Sequence, residues 1–332
     1  MQQTQVLKIY CADSLLYPMQ EAEEAFEKQY PNVDIQIEGH GSIQVIRHVT
    51  ELGDRADLML VADYSLIPIM MYNTTVPNST QPFAEWYIRF AGNEVVLAYT
   101  SQSNRASEVN STNWYEILAD EGTSFGFANP EIDALGYRTM MAIKLAEGYY
   151  GIPQLYYTLV SKNFNPLFIS YSAGGKSVLL VPETQTPVGG KVYLRASGVM
   201  LVPLLESGTI VYCFLYRSMA EQQNFSYVEL PPEINMGDIS QEAYYSQVSV
   251  EYQHQRFATV NLNRTGSTIY YGMTIPANAP NPTLAIKFIE FMINGSGSAI
   301  LEASYFPIFS TCYTDNLQEL PTALTAFIRA EP

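Results

Sequence analysis

Two serines stand where a hydroxyl and a set of backbone amides can be aimed at one negatively charged guest. Ser14 lies in the corner Cys11-Ala12-Asp13-Ser14-Leu15, after an alternating apolar run at 6–10 and before a helical pattern that sets Leu15, Met19, Ala22 and Phe26 on one face. Ser42 lies in Gly39-His40-Gly41-Ser42, between the alternating run 33–37 and a helical pattern carrying Ile43, Ile46 and Val49 that Gly53 stops. The first amides of a helix have no intrahelical acceptor and carry the positive end of its dipole, so such corners suit an anion. Their pairing at the carboxyl ends of neighbouring parallel strands would seed an oxyanion site. The structural alternative is that each serine is only an N-cap, the usual work of serine before a helix. A third corner, Asn129-Pro130-Glu131-Ile132-Asp133, faces a strand end before a helix marked by Met141, Leu145 and Tyr149, and it offers a carboxylate.

Other chemistry is thinly represented. Hydrolysis needs a nucleophile with a base, and His40 beside Ser42 is the one pairing to test; His40, His48 and His254 show no metal-ligand spacing. A serine-dependent hydrolase is carried as the alternative class, although no enzymatic activity is expected. Ser170-Tyr171-Ser172-Ala173-Gly174-Gly175-Lys176-Ser177 has the end of a phosphate-binding loop, but Ser170 occupies the place of its first glycine, so the stretch reads as a turn. Cys11, Cys213 and Cys312 are odd in number and sit in apolar surroundings, which predicts buried free thiols, with one long-range disulfide as the other possibility.

The elements that position these groups follow from length and pattern. The 332 residues are 47% hydrophobic and 13% aromatic, enough for two packed domains. A net charge of −16, from 33 acidic against 17 basic residues, excludes a nucleic-acid role, because phosphate backbones are gripped by clustered Lys and Arg. It does not exclude a small anion held in a dry site by N–H and O–H dipoles. No run of about 18 apolar residues suggests a membrane span, and Met1-Gln2-Gln3-Thr4 lacks the parts of a signal peptide. Six Asn-x-Ser/Thr patterns, at Asn73, Asn78, Asn110, Asn224, Asn263 and Asn294, favour a mature extracytoplasmic chain over a cytoplasmic one.

Residues 55–62 predict a third buried strand, so strand and helix alternate three times, the signature of a parallel sheet. Residues 73–82 are a surface loop, 93–100 a strand crossing to a second lobe, and 124–128 the strand before the Asp133 corner. The segment 164–187 reads as irregular. A helix at 199–206 ended by Gly208 and a strand at 210–215 follow, and 267–276 is the return crossing before a helix capped at Asn281-Pro282-Thr283.

This order resembles the archaeal molybdate/tungstate-binding proteins, the solute-binding components of ABC uptake systems, over nearly the whole chain. The residues that carry the resemblance are Ala12-Asp13-Ser14-Leu15, Gly41-Ser42, Ala56-Asp57-Leu58, Ala62-Asp63-Tyr64, Asp133 with Gly136-Tyr137-Arg138, Leu205-Glu206-Ser207-Gly208, Glu229-Leu230-Pro231 and Thr274-Ile275-Pro276. It implies an α/β fold of the two-lobed, type II periplasmic-binding-protein kind, with two mixed sheets flanked by helices and a hinge. Lobe I would hold residues 1–96 and 272–332, and lobe II residues 97–271. The hinge would close the lobes over a molybdate or tungstate ion in the cleft, with the ligand-free form open. Ser14 and Ser42 would donate from one lobe. Asp133 would take the place of a carboxylate that adds an oxygen directly to the metal, and Tyr216 that of a tyrosine donating its hydroxyl. Gly198 stands where those relatives carry a glutamate, so the second carboxylate is missing unless Glu206 swings in, and Gly198 would instead offer its backbone. The resemblance implies no cofactor besides the ligand, an ABC permease as partner, a monomer, and a cell-surface or membrane-anchored location. A binder of sulfate or phosphate is the nearest alternative.

Overall fold

The alternating run before Ser14 forms the strand Gln5–Ala12, with Leu7, Ile9 and Cys11 fully buried. It pairs in parallel with Val33–His40 on one side and Leu58–Val61 on the other. This is the three-strand parallel core that the strand-helix repeats predict. The computed structural model describes residues 4–253 and 263–331. Within them the chain divides into two compact units, Met1–Gly92 with Tyr270–Pro332, and Asn93–Ile269.

In the first unit the parallel core is extended by antiparallel strands. Tyr270–Thr274 joins Leu58–Val61, Ile88–Gly92 joins Tyr270–Thr274, and Ile308–Thr314 with Ile328–Ala330 completes a mixed seven-stranded sheet among the described residues. The helix Leu16–Gln29 buries Met19, Ala22 and Phe26, and Phe26 meets Phe288 at 5.2 Å and Phe291 at 5.3 Å on the helix Pro282–Asn294. Burial of each of the Met and Phe side chains contributes roughly 1.5–3 kcal/mol. Asn281 does not cap that last helix with its side chain; its amide reaches instead to the Val6 carbonyl at 2.9 Å and ties the helix start to the first strand.

The second unit holds a five-stranded mixed sheet in the order Val192–Arg195, Phe125–Ala128, Tyr212–Tyr216, Val95–Tyr99, Ser226–Glu229. A division at 96/97 would cut Val95–Tyr99 in two. That strand pairs from end to end with Tyr212–Tyr216, so the chain changes unit at Gly92–Asn93, and Tyr270–Thr274 likewise lies wholly in the first unit.

Residues 164–187 are not irregular. Ile169–Ala173 and Lys176–Val181 form a hairpin whose turn is Gly174-Gly175, at φ +58° and +81°, and Val248–Tyr252 and Arg264–Thr265 extend it to a second mixed sheet of four described strands. Glycine is used there because both turn positions need positive φ, and the phosphate-loop-like stretch is accordingly a hairpin. The helix Ala134–Tyr149 packs against both sheets of this unit. It is therefore buried on nearly every side, not only along the Met141–Leu145 face, and even Arg138 is 1% exposed. Gly136 lets this helix press on the strand end before it: a Cβ there would lie 2.4 Å from the Ala128 carbonyl oxygen. His254 and part of the polar stretch before residue 260 lie outside the described residues.

Candidate functional site

In the first unit the parallel register brings three strand ends to one edge, with Ala12 opposite His40 and Cys11 opposite Leu60. Ser14 follows the first, in the 3-10 turn Asp13–Leu15 that leads into Leu16–Gln29. Ser42 follows the second, as the first residue of Ser42–Thr50 with Gly41 before it. Ala62 follows the third. Neither serine hydroxyl caps its own helix, so the N-cap alternative fails for both.

The Ser14 hydroxyl, 2% exposed, lies 2.9 Å from the Tyr271 hydroxyl, and either can donate. The Ser42 hydroxyl, 1% exposed, accepts the Ala62 N–H at 2.9 Å. A hydroxyl has one proton and two lone pairs, so a bond accepted from Ala62 leaves that proton to be donated. The first intrahelical bond of the second corner runs from Val45 N to Gly41 O, so the amides of Ser42, Ile43 and Gln44 precede it. This edge sets neutral donors at the carboxyl ends of adjacent parallel strands, with the buried carboxylates of Asp13 and Asp63 in the same corners.

His40 does not serve Ser42. Its ring stacks on His48 at 4.6 Å and 12°, and its Nε2 lies 3.8 Å from Glu38. His48 is held in turn by Asp54 at 2.8 Å. Burial, and then the neighbouring His48, hold the His40 pKa below its ordinary value. Among the described residues no group of three or more His, Cys, Asp or Glu side chains could hold a metal cation. Cys11, Cys213 and Cys312 are buried free thiols; burial pushes Cys312 up to about 11 and the other two further.

The second unit repeats the arrangement with different side chains. Phe125–Ala128 runs parallel to Val192–Arg195 and to Tyr212–Tyr216, so the ends that lead to Asp133, Gly198 and Tyr216 again share an edge. Asp133 is a true N-cap: its Oδ1 accepts the Leu135 N–H at 2.7 Å. Tyr216, 1% exposed, ends its strand and accepts from Arg138 Nη1 at 2.8 Å. Gly198 precedes the 3-10 turn Val199–Leu201, and a Cβ on it would lie 2.9 Å from Leu135 Cδ2 and 3.1 Å from Met219 Cε. Since Leu135 lies two residues beyond Asp133 and Met219 three beyond Tyr216, the three corners of this unit meet around Gly198. A glutamate there would have to displace both side-chain ends.

Glu206 is placed elsewhere. It is exposed at the end of Val202–Glu206 and lines an open cavity of about 280 Å³ with Thr100, Ser103 and Gly208, which none of Asp133, Gly198 and Tyr216 lines. Sequence reasoning missed two residues, Arg138 and Tyr271. The signal for Arg138 was a single cation inside the apolar stretch from Ala134 to Ile143, since buried Arg is rare without a partner. Tyr271 gave no signal, because it reaches Ser14 from a strand 257 positions away.

A sequence profile of the family described as "Bacterial extracellular solute-binding protein" matches residues 7–306. The chain is 39% identical over 316 residues to the molybdate/tungstate-binding protein of Pyrococcus abyssi, covering 92% of this chain and 85% of that one. It is 39% identical over 306 residues to the protein of the same name from Thermococcus kodakarensis, covering 89% and 79%. Among solved structures, the periplasmic molybdate-binding protein of Azotobacter vinelandii superposes with a TM-score of 0.56 at 14% identity, covering 90% of this chain and 98% of that chain. At that identity the likeness speaks for the fold alone.

Proposed function

The chain belongs to the bacterial extracellular solute-binding proteins, and from that premise we propose that it captures molybdate or tungstate outside the cytoplasm and passes it, as a monomer, to the membrane permease of an ABC importer. The observation that carries the choice of ligand is the 39% identity, over most of both chains, to proteins named for molybdate and tungstate.

The donor chemistry of the two units fits that ligand. A tetrahedral dianion without protons only accepts hydrogen bonds. The first unit offers Ser14 and Ser42 with the amides of their corners, and the second by itself offers the Gly198 backbone and the Tyr216 hydroxyl. Tyr216 accepts from Arg138, so a buried cation stands beside its hydroxyl, and a hydroxyl that accepts still has one proton to donate. Charge-assisted bonds of this kind are stronger than neutral ones.

Asp133 is the one repulsive group in the set. Its Oδ1 is fixed by the Leu135 amide, so the carboxylate is aimed rather than free to turn, and we assign it as a direct ligand to the metal through its other oxygen. One carboxylate adds one oxygen to the four of the oxyanion, with Gly198 removing the second. Edge absorption of the molybdate-loaded protein tests this: a purely tetrahedral signature removes Asp133 from the metal. Selectivity follows from reach, because donors spaced for the longer metal–oxygen bond leave the oxygens of sulfate badly paired.

Elemental analysis tests the function. Protein exposed to molybdate or tungstate and then dialysed should retain about one metal atom per chain with no turnover of ester substrates. Loss of all metal on dialysis would overturn the reading, and ester turnover abolished by Ser42→Ala would favour the hydrolase instead.

A further inference from the structure

The six Asn-x-Ser/Thr patterns play no part in anion capture, and their placement is not that of asparagine in general. All six asparagines, Asn73, Asn78, Asn110, Asn224, Asn263 and Asn294, are exposed. So is the hydroxyl residue two places on in each: Thr75, Thr80, Thr112, Ser226, Thr265 and Ser296. Of the other eleven described asparagines only Asn32, Asn104 and Asn165 are exposed, while Asn93, Asn163 and Asn235 are buried outright. Exposure therefore tracks the pattern, not the residue type.

The local backbones are accessible as well. Asn78 and Asn224 sit at tight bends with φ of +63° and +53°, and Asn294 is the last residue of its helix, before Gly295. At Asn110 the pattern closes on itself: the Thr112 hydroxyl donates to Asn110 Oδ1 at 2.7 Å and the Thr112 amide donates to the same oxygen at 2.8 Å. The hydroxyl that the pattern requires thus reaches the very amide to be modified. None of the six falls in a corner that carries Ser14, Ser42, Asp133, Gly198 or Tyr216.

We infer that these asparagines are attachment sites for N-linked glycan. The co-reactant is a saccharide carried on a polyprenyl phosphate or diphosphate outside the cytoplasm. The Asn Nδ2–H bond and the sugar C1–O bond to phosphate break, the Nδ2–C1 bond forms, and the proton leaves with the phosphate carrier, with no change of oxidation state. The inference needs only the extracytoplasmic placement of the family, and its failure would leave the anion-binding reading untouched.

The test is peptide mass spectrometry on the protein isolated from the organism that makes it. Peptides holding the six patterns should carry saccharide mass on asparagine; a peptide found only unmodified removes that site, and six unmodified peptides overturn the inference. In the same host Thr112→Ser should keep the modification at Asn110 and Thr112→Ala should abolish it, with circular dichroism showing both variants folded. Modification of Asn110 in folded Thr112→Ala would also overturn the assignment.

Discussion

Ser42 and Tyr216 share one local geometry. Each accepts one bond from the protein, from Ala62 N–H or from Arg138, and a hydroxyl that accepts has one proton to donate, which is the role proposed for both. Ser42→Ala should raise the Kd for molybdate about tenfold or more, since it removes a donor and leaves the Ala62 amide without its acceptor, a cost of about 1–3 kcal/mol. Calorimetric titration and thermal unfolding of the variant check both parts. Tyr216→Phe should cost more affinity than stability relative to Ser42→Ala, because the Arg138 charge persists but no longer acts through an aimed hydroxyl; unchanged affinity in folded Tyr216→Phe would remove it from the site. The serines were legible in the sequence because each sits between a period-two run and a period-3.6 run. Arg138 and Tyr271 were not. One is hidden by a helix buried on nearly every side along its first ten residues, the other by a contact that only the sheet order creates.

At the scale of elements, both units present the carboxyl ends of three adjacent parallel strands, and the short strand-to-helix corners decide what stands there. The His40–His48 stack belongs to the second of these corners. The His40 pKa is held below its ordinary value of 6.5 by burial and by His48, so below pH 6.5 the unfolded chain binds the proton first. The contribution of His40 is therefore fully present above that value and is lost as pH falls through the lower, folded pKa. Urea unfolding between pH 7 and 5 should show His40→Asn losing less stability than the parent over that span; equal slopes would mean that the ring titrates alike in both states. The corners were readable because Gly, Ser and Asp punctuate them. The hairpin Ile169–Ala173 with Lys176–Val181 was not: its first strand is largely exposed, so it lacks the apolar run that marks a strand, and its diglycine turn mimics part of a phosphate loop.

For the molecule as a whole, a discontinuous first unit and an inserted second one were legible from two strong strands near residues 95 and 271, while the crossing points were not, because strand pairing rather than apolarity decides to which unit Val95–Tyr99 belongs. The net charge of −16 sets the kinetics. A dianion approaching it is repelled at long range, and salt screens that repulsion within about 10 Å at 0.1 M. Stopped-flow fluorescence should show the association rate of molybdate rising with ionic strength; a rate that falls would mean that a local cationic field outweighs the total charge.

The most direct test of the account is calorimetric titration of the purified chain with molybdate, tungstate, sulfate and phosphate. Neutral donors with the buried Arg138 beside Tyr216 predict one site per chain, similar affinities for molybdate and tungstate, and binding of sulfate and phosphate at least about a hundredfold weaker, a difference of about 2.7 kcal/mol. Sulfate or phosphate binding as tightly as molybdate, or no heat with any of the four, would contradict it.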